Sequence, residues 1–530
     1  MKKESAQSLS GGLHESEARS RRVPFRVRAT LKIPSFDFAP LRSGTVIFFL
    51  MGILFLTGCT LPAPAPEAAR DFILVTDAPN ISPSPTPFQP KVATDGVPSQ
   101  TTIPATLTFT PPPTKTPIPS PTNHPPPIGN VQDSHPQYTL NATLDYAART
   151  LDVDETIFYT NQSLVSLDKL VLAVEPNRWG NCFHLESLTL NGFNASSQLN
   201  GARMEIPLGT PLQPGESITL ELSYLLNIPP KSHAEVFGYL SDFQMNIVNW
   251  YPFIVPFDVA KGWLIHEPSG VGEHLVYETS DFDVTLKIEG DDDLVVAASA
   301  AGKKAGAWRL YELEGARAFV FSVSSVLHSQ TVASENASVT SFYFPDYEKA
   351  GVGILEAASQ AIDIYSDRFA PYPYEHLSIV QTHLPDGMEY DGLIFMGSEF
   401  YDDYNGTIKN NLVAIGVHEV SHQWWFGLVG NDQALEPWLD EALALYSERI
   451  YYETIYPYPV NWWWRFRVTW FSPSGWVDTG IYDGYAFRGY TDAVYLRGAQ
   501  FLEAIRFRVG EKAFNAFLQD YTNSFSVSSQ

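Results

Sequence analysis

Hydrophobic and polar residues alternate along the chain between about Tyr138 and Gln330. Segments such as SITLELSYLL, DFDVTLKIEG and RAFVFSVS are short alternating or β-branched runs, and turn-forming residues separate them. A period of two is the pattern of a strand with one face on a core, and many such strands at short intervals are typical of a sandwich. The pattern therefore predicts an N-terminal all-β domain of sandwich type over residues 135–335.

The spacing of apolar positions changes after about Thr340. The segments GVGILEAASQAIDIYSDRF, NNLVAIGVHEVSHQWWFG and PWLDEALALYSERIYYE have helical periodicity, whereas HLSIVQTHL has the pattern of a strand. Pro437 is suited to the first turn of the third helix, where no backbone N–H is needed. We therefore expect a mixed α+β domain over residues 336–530. A chain of 530 residues is long enough for such a multidomain arrangement.

A charge-free apolar run, GTVIFFLMGILFLTGC, extends from Gly44 to Cys59 behind a basic region. At about 15 residues it suits a signal peptide better than a membrane-spanning helix, which needs roughly 20. Its last four residues resemble the bacterial lipoprotein lipobox, which implies cleavage before Cys59 and lipidation of its sulfur. We expect a signal peptide with a lipobox over residues 1–59, and the alternative is an uncleaved signal anchor. Both place the folded part outside the cytoplasm, anchored to a bacterial cell membrane.

A proline-rich segment follows the apolar run. It holds 19 of the 40 prolines between Leu61 and Asn130, interleaved with Thr, Ser and Ala. Such a composition cannot bury enough apolar area to order itself and favours extended polyproline conformation. The sequence therefore predicts a disordered, semi-rigid stalk over residues 60–134.

The charge of the chain excludes one class of partner. The net charge is -25, and residues 1–43 carry nine Lys or Arg against four Asp or Glu, so the remainder carries about -30. A polyanion would be repelled by this surface. We therefore expect no nucleic acid as a partner.

The segment HEVSH, from His418 to His422, is the strongest chemical signal in the sequence. On a helix these two histidines stand one above the other and can direct ring nitrogens at one metal ion, while Glu419 can reach a water beside it. A catalytic zinc has three protein ligands, and Glu441, 18 residues after His422, is the third candidate. The alternative is that HEVSH is only the polar edge of an ordinary core helix.

These residues also carry a resemblance to a known family. HEVSH, 18 residues and then a glutamate within PWLDEALALYSE resemble the HExxH-x18-E signature of the gluzincin aminopeptidases, of the aminopeptidase N or membrane alanyl aminopeptidase type. The resemblance implies one Zn²⁺ per chain and a thermolysin-like catalytic domain. The all-β domain is similar to the N-terminal saddle of that family.

Two further motifs extend the resemblance. The segment DGMEYDG is similar to the family's GxMEN motif, with Asp386 and Tyr390 in place of the first Gly and the Asn. This similarity implies that Glu389 binds the substrate's α-amine and that Gly387 and Met388 line the same subsite. The segment AVYLRGA is similar to the family's YxKGA helix, which implies that Tyr495 stabilises the oxyanion.

The resemblance implies a function. We expect a zinc metallopeptidase in which Glu419 is the general base, most simply an aminopeptidase acting on peptides with a free N-terminus. The printed chain stops soon after the tyrosine helix, without the helical C-terminal domain that closes the cavity in this family. This favours, as one alternative, an endopeptidase or oligopeptidase with an open cleft. The other alternative is a lipid-anchored surface binding protein with a vestigial zinc site.

Overall fold

The computed structural model describes residues 135–232, 235–290, 293–455 and 459–526. The predicted signal peptide, Cys59 and the stalk lie outside these residues, so those predictions are not tested. Within the described part, no helix combines the length and the apolar character needed to cross a membrane.

The first part of the described chain is built from strands, as the alternating pattern predicts. Its strands are β1 Gln137–Asp145, β2 Thr150–Thr160, β3 Leu167–Ala173, β4 Phe183–Leu190, β5 Phe193–Asn194, β6 Gln198–Asn200, β7 Arg203–Leu212, β8 Ser217–Asn227, β9 Gly238–Leu240, β10 Gln244–Ile247, β11 Phe253–Ile254, β12 Phe257–Asp258, β13 Gly262–Trp263, β14 Ser280–Glu289, β15 Val295–Ala298, β16 Lys303–Ala305, β17 Trp308–Ala316 and β18 Phe321–Ser324. A 3₁₀ turn, Glu175–Arg178, follows β3.

These strands form one large sheet and several small ones. The large sheet has the order β16-β17-β14-β1-β2-β8-β4-β5, with β1 and β14 parallel and the other pairs antiparallel. Two four-stranded sheets have the orders β15-β18-β10-β9 and β11-β3-β7-β6, and β12 pairs with β13. Inward-facing residues such as Leu140 on β1 and Leu170 on β3 lie in one hydrophobic core. The β-rich first domain is therefore confirmed.

The second part combines a five-stranded sheet with helices. Its strands are β19 His328–Ala333, β20 Ser338–Tyr343, β21 His376–Thr382, β22 Gly387–Tyr390 and β23 Leu393–Gly397, and its helices are α1 Glu348–Arg368, α2 Ser398–Asp402, α3 Asn411–Ser421, α4 Trp438–Ile455, α5 Val460–Trp463, α6 Phe487–Thr491, α7 Arg497–Val509 and α8 Glu511–Phe525. Two π-helical segments, Trp464–Val468 and Asp492–Leu496, and two 3₁₀ turns, Pro345–Tyr347 and Thr469–Phe471, complete it.

The five-stranded sheet has the order β19-β20-β21-β23-β22. The strands β20, β21 and β23 are parallel, and β19 and β22 are antiparallel edge strands. Since β19 begins at His328, this sheet takes in residues just before the boundary that the sequence places near 335. The predicted α+β class of the second domain is confirmed.

The helices that carry the HEVSH segment and Glu441 are held together by a buried tyrosine on α1. The Tyr365 hydroxyl lies within hydrogen-bond distance of two carbonyl oxygens, Val417 on α3 (3.1 Å) and Ser447 on α4 (3.0 Å). The helix α3 begins where the Asn410 side chain accepts a hydrogen bond from Val413 N–H. It ends at Ser421, six residues before the end of the predicted helical segment, because the chain turns after His422.

The two domains share polar contacts behind the edge strand β22. Both backbone N–H groups of Arg317 and Ala318 donate to Asp391 Oδ2, at 2.8 and 3.0 Å. The turn after Asp391 needs Gly392, which has φ +65° and would place a Cβ 1.9 Å from the Ser299 carbonyl oxygen. These contacts fix the position of β22 relative to the β domain.

Candidate active site

The structure brings the three predicted metal ligands together. His418 lies near the C-terminal end of α3, His422 directly follows that helix, and Glu441 is in the first turn of α4. Glu441 Oε2 lies 3.3 Å from His418 Nε2 and 3.6 Å from His422 Nε2. Three donors at about 2.1 Å from one tetrahedral zinc ion would be about 3.4 Å apart. The buried N, N, O donor set therefore fits a zinc ion.

The other ring nitrogen of each histidine faces a carboxylate. His422 Nδ1 lies 2.6 Å from Asp440 Oδ1 and 2.9 Å from the Trp425 carbonyl oxygen. His418 Nδ1 lies 3.2 Å from Glu448 Oε1. Because these partners are acceptors, the Nδ1 atoms carry the hydrogen and the Nε2 lone pairs are left for a metal.

These two carboxylates are in turn held by buried donors. Gln433 Nε2 donates to Asp440 Oδ2 at 2.7 Å. Glu448 accepts hydrogen bonds from Trp463 Nε1 at 2.7 Å and from Arg467 at 2.7 and 2.8 Å. The roles of Asp440 and Glu448 were not predicted from the sequence. One signal was available, since Glu448 stands two helical turns after Glu441 and on the same face of α4.

The titration of the histidines follows from these neighbours. Burial alone would lower the pKa of His418, but its contacts with Glu441 and Glu448 raise that pKa to about 9. Burial would likewise lower the pKa of His422, but the nearby carboxylates, led by Glu389, raise that pKa well above its usual value. Metal binding requires neutral imidazoles, so uptake of a metal here would release protons.

Glu419 lies against a position where only glycine fits. A Cβ at Gly387, on β22, would be 2.2 Å from Glu419 Oε1. Burial raises the pKa of the Glu419 carboxyl to about 8, against the lowering effect of His418 and His422. The Glu419 carboxyl is thus buried at the site, one residue from the first histidine, and its role as general base stays a prediction.

A cluster of carboxylates lies beside the three ligands. Oxygens of Glu389, Glu441 and Glu273 lie within 4.8 Å of one another. Glu389 is on β22 and only 6% exposed, whereas Glu273 comes from the β domain, between β13 and β14. Burial and the repulsion of neighbouring carboxylates raise the pKa of both Glu273 and Glu389 well above the usual range, although His422 lowers the pKa of Glu389 in part. Such a cluster favours a positively charged ligand, because a cation relieves that repulsion.

Glu273 is a site residue that the sequence analysis missed. It lies in the segment GVGEH, which has neither a spacing nor a motif that points to the zinc site. Met388 is half-buried beside Glu389 and packs against the hydrophobic core. The predicted roles of Glu389, Met388 and Gly387 in binding substrate stay predictions.

Tyr495 lies beside the metal ligand His418. It lies in the π-helical segment that leads into α7, and its ring is stacked against the His418 imidazole with centroids 6.2 Å apart. Burial and the nearby Glu441 carboxylate raise the pKa of Tyr495 well above its usual value. Its hydroxyl therefore stays protonated at neutral pH and can donate a hydrogen bond.

The fold and this site define a class: a zinc metallopeptidase of the gluzincin type, with one histidine in the last turn of a helix, the second directly after it, and a glutamate on the next helix. The family model "Peptidase family M1 domain" matches residues 354–476. Residues 354–476 are thus similar to peptidase family M1, which supports the resemblance to the gluzincin aminopeptidases, and zinc is the cofactor that this family implies.

Curated relatives with similar sequences are named as aminopeptidases. The chain is 27% identical over 192 residues to Aminopeptidase M1-B of Oryza sativa subsp. japonica, covering 33% of this chain and 22% of that protein. It is 25% identical over 210 residues to Probable aminopeptidase 1 of Sulfurisphaera tokodaii, covering 35% and 25% of the two chains. These matches span about a quarter of the relatives' length.

A solved structure shares the fold over a longer range. The M1 zinc metallopeptidase from Deinococcus radiodurans superimposes with a TM-score of 0.54 at 19% identity, covering 74% of this chain and 87% of that chain. At this identity the likeness concerns the fold. It extends over both domains described above.

Proposed function

We propose that this protein is a zinc-dependent aminopeptidase that removes residues from the free N-terminus of peptides. One observation carries the proposal: the carboxylates of Glu389, which is buried, and of Glu273, which is partly buried, lie within 4.8 Å of the metal ligand Glu441. A protonated α-amine is a cation of suitable size for this cluster, and placing it there brings the first peptide bond next to the ligands. The names of the curated relatives, which are aminopeptidases, support the same interpretation.

The residues of the site have distinct roles in this proposal. His418, His422 and Glu441 hold Zn²⁺, which when bound polarises the scissile carbonyl and acidifies water. Glu419 accepts a proton from the attacking water and passes it to the leaving amine. Tyr495 donates a hydrogen bond to the oxygen that becomes negative in the tetrahedral intermediate, where stabilisation is usually the largest catalytic contribution.

The experiment compares one peptide with a free and with an acetylated N-terminus, using the zinc-loaded full chain. Cleavage restricted to the free-amine form supports the aminopeptidase. Equal cleavage of both forms would favour the endopeptidase with an open cleft. Bound zinc without any cleavage would favour the surface binding protein.

We also propose that the protein is a lipid-anchored, extracytoplasmic one. The support is confined to the sequence of residues 44–59. Membrane fractionation of the full chain and of a Cys59→Ala variant tests this, because only the unaltered chain should carry the lipid. Recovery of both proteins in the soluble fraction would contradict the anchor.

A further inference from the structure

A cavity of about 640 Å³ lies beside the catalytic groups, outside the set of residues assigned so far. Its walls come from the loop before β22, the start of α3 and the aromatic segment that follows α4. Aromatic and aliphatic side chains form most of these walls: Phe400, Ile415, Trp462, Phe466, Trp470 and Phe471. The size and the lining are those of a site for an apolar group.

The position of the cavity along α3 determines which part of a substrate could reach it. Ile415 and Asn411 stand three and seven residues before His418 and so share its face of the helix. The amine-binding carboxylates lie at the other end, next to His422, where oxygens and nitrogens of Glu389 and His422 are within 4.8 Å. Ile415 and His422 are separated by about 10 Å along the helix axis.

The amine-binding carboxylates, the three metal ligands and the cavity follow one another along α3 in the order in which a bound peptide would meet them. With the α-amine at the His422 end and the first peptide bond at the three ligands, the chain continues toward Ile415. Ile415 is three residues, or about 4.5 Å along the helix axis, from the ligand His418. An extended peptide advances about 3.3 Å per residue, so the residue directly after the scissile bond, the second residue of the substrate, is the one that arrives at the cavity. Asp386, at the cavity wall, lies one residue before Gly387, which contacts Glu419.

The charges around the cavity leave its interior apolar. Arg467 lines it, but its guanidinium is occupied by the two hydrogen bonds to Glu448. Arg465 and Asp386 are solvent-exposed residues of opposite charge. Trp462 and Phe466 are stacked, with ring centroids 4.9 Å apart and an angle of 15° between the ring planes. This pair presents a flat aromatic wall.

We propose that this cavity receives the side chain of the second residue of the substrate and makes the enzyme selective for peptides with a large aromatic or aliphatic residue there. The inference rests on the proposed function, since it uses the α-amine as the point from which residues are counted. Burial of one such side chain in an apolar pocket is worth about tenfold or more in kcat/KM.

The test uses the zinc-loaded full chain and two free-amine tripeptides, Ala-Phe-Ala and Ala-Gly-Ala. We expect kcat/KM for the Phe peptide to exceed that for the Gly peptide by about tenfold or more. Phe466→Ala and Trp470→Ala should each reduce this ratio at least about threefold, since each removes part of the wall. Both side chains are exposed, at 39% and 72%, so their loss spares the core.

Phe507→Ala is the matched control, because it removes an 87% exposed phenylalanine on α7 that does not line the cavity. It should leave both kcat/KM values and their ratio unchanged. Equal rates for the two peptides in the unaltered protein, with no effect of either cavity variant, would overturn the inference and leave the aminopeptidase proposal intact. Failure to cleave either peptide would overturn the proposed function itself.

Discussion

Each imidazole of the proposed metal site contacts carboxylates at both ring nitrogens, and the outer carboxylates are buried with their own donors. Asp440 is 1% exposed and lies 2.6 Å from His422 Nδ1. A carboxylate in this position fixes the tautomer and the orientation of the ring and makes Nε2 a better ligand. The support for the metal therefore extends beyond the three ligands.

Replacement of Asp440 tests this support. Asp440→Asn keeps the size of the side chain but removes its charge, so we expect zinc affinity to fall by about 10- to 100-fold. The measurement is a competition titration against a zinc chelator. Glu356→Gln, an exposed position on α1, is the control and should bind zinc like the unaltered protein. An Asp440→Asn protein with full affinity would contradict the role of the outer carboxylate.

Substitutions of Glu419 and His422 should distinguish the loss of catalysis from the loss of metal binding. Glu419→Gln retains all three ligands but cannot accept a proton, so we expect about one zinc per chain and a loss of kcat of about 10²-fold or more. His422→Ala removes a ligand and should lose both zinc and activity. Zinc content is measured by elemental analysis on the proteins used for the assay. A Glu419→Gln enzyme with normal kcat would refute the proposed general base.

At the scale of elements, the periodicity of apolar residues predicts where packed helices and strands form, but it does not predict where turns end them. The helices α1, α3 and α4 follow from apolar positions that lie buried against one another. The end of α3 at Ser421 does not follow from that pattern, because the segment after it stays apolar while the chain turns, with Phe426 at φ +141°. The metal ligands were predictable because their spacing along α3 and α4 is local.

The strand β2 has an acidic residue at one of its inward-facing, otherwise apolar positions. Glu155 occupies an inward-facing position between Val153 and Ile157 and is 1% exposed. Neither of its carboxylate oxygens meets the geometry of a hydrogen bond with a described residue, although the Tyr224 hydroxyl is close enough to lower the pKa of Glu155 in part. Burial raises the pKa of Glu155 well above its ordinary value near 4.5. The folded protein therefore binds this proton more tightly than the unfolded chain does.

Because the pKa of Glu155 is raised in the folded state, the free energy of unfolding should depend on pH. The stabilisation from protonated Glu155 is present below pH 4.5 or so and is lost as pH rises toward the raised pKa of the folded state. Glu155→Leu should therefore increase the free energy of unfolding at pH 8 by about 1–3 kcal/mol, with a smaller gain near pH 5. Denaturant titrations at both values measure it.

Asp152→Leu, on the exposed face of the same strand, is the control. It should change the free energy of unfolding by less than about 0.5 kcal/mol at either pH. A Glu155→Leu protein that is less stable than the unaltered chain at pH 8 would contradict the reading of Glu155 as a buried, uncompensated acid.

At the scale of the whole molecule, the site is completed by the β domain. Glu273 precedes Glu389 by 116 residues and belongs to the other domain, yet oxygens of the two carboxylates lie within 4.8 Å. No local pattern in the sequence could place Glu273 there, because its position depends on how the two domains pack. The contacts of Arg317 and Ala318 with Asp391 are part of that packing.

The central claim is that this inter-domain pair of carboxylates, Glu273 and Glu389, binds the α-amine of the substrate. The decisive measurement is the ratio of kcat/KM for one peptide with a free and with an acetylated N-terminus, in the unaltered full chain, Glu389→Gln and Glu273→Gln. We expect a large ratio in the unaltered protein and a fall of about tenfold or more in each variant, because a charge-assisted hydrogen bond to the amine is lost. A ratio near one, or an unchanged ratio in both variants, would contradict the assignment of this site to a free N-terminus.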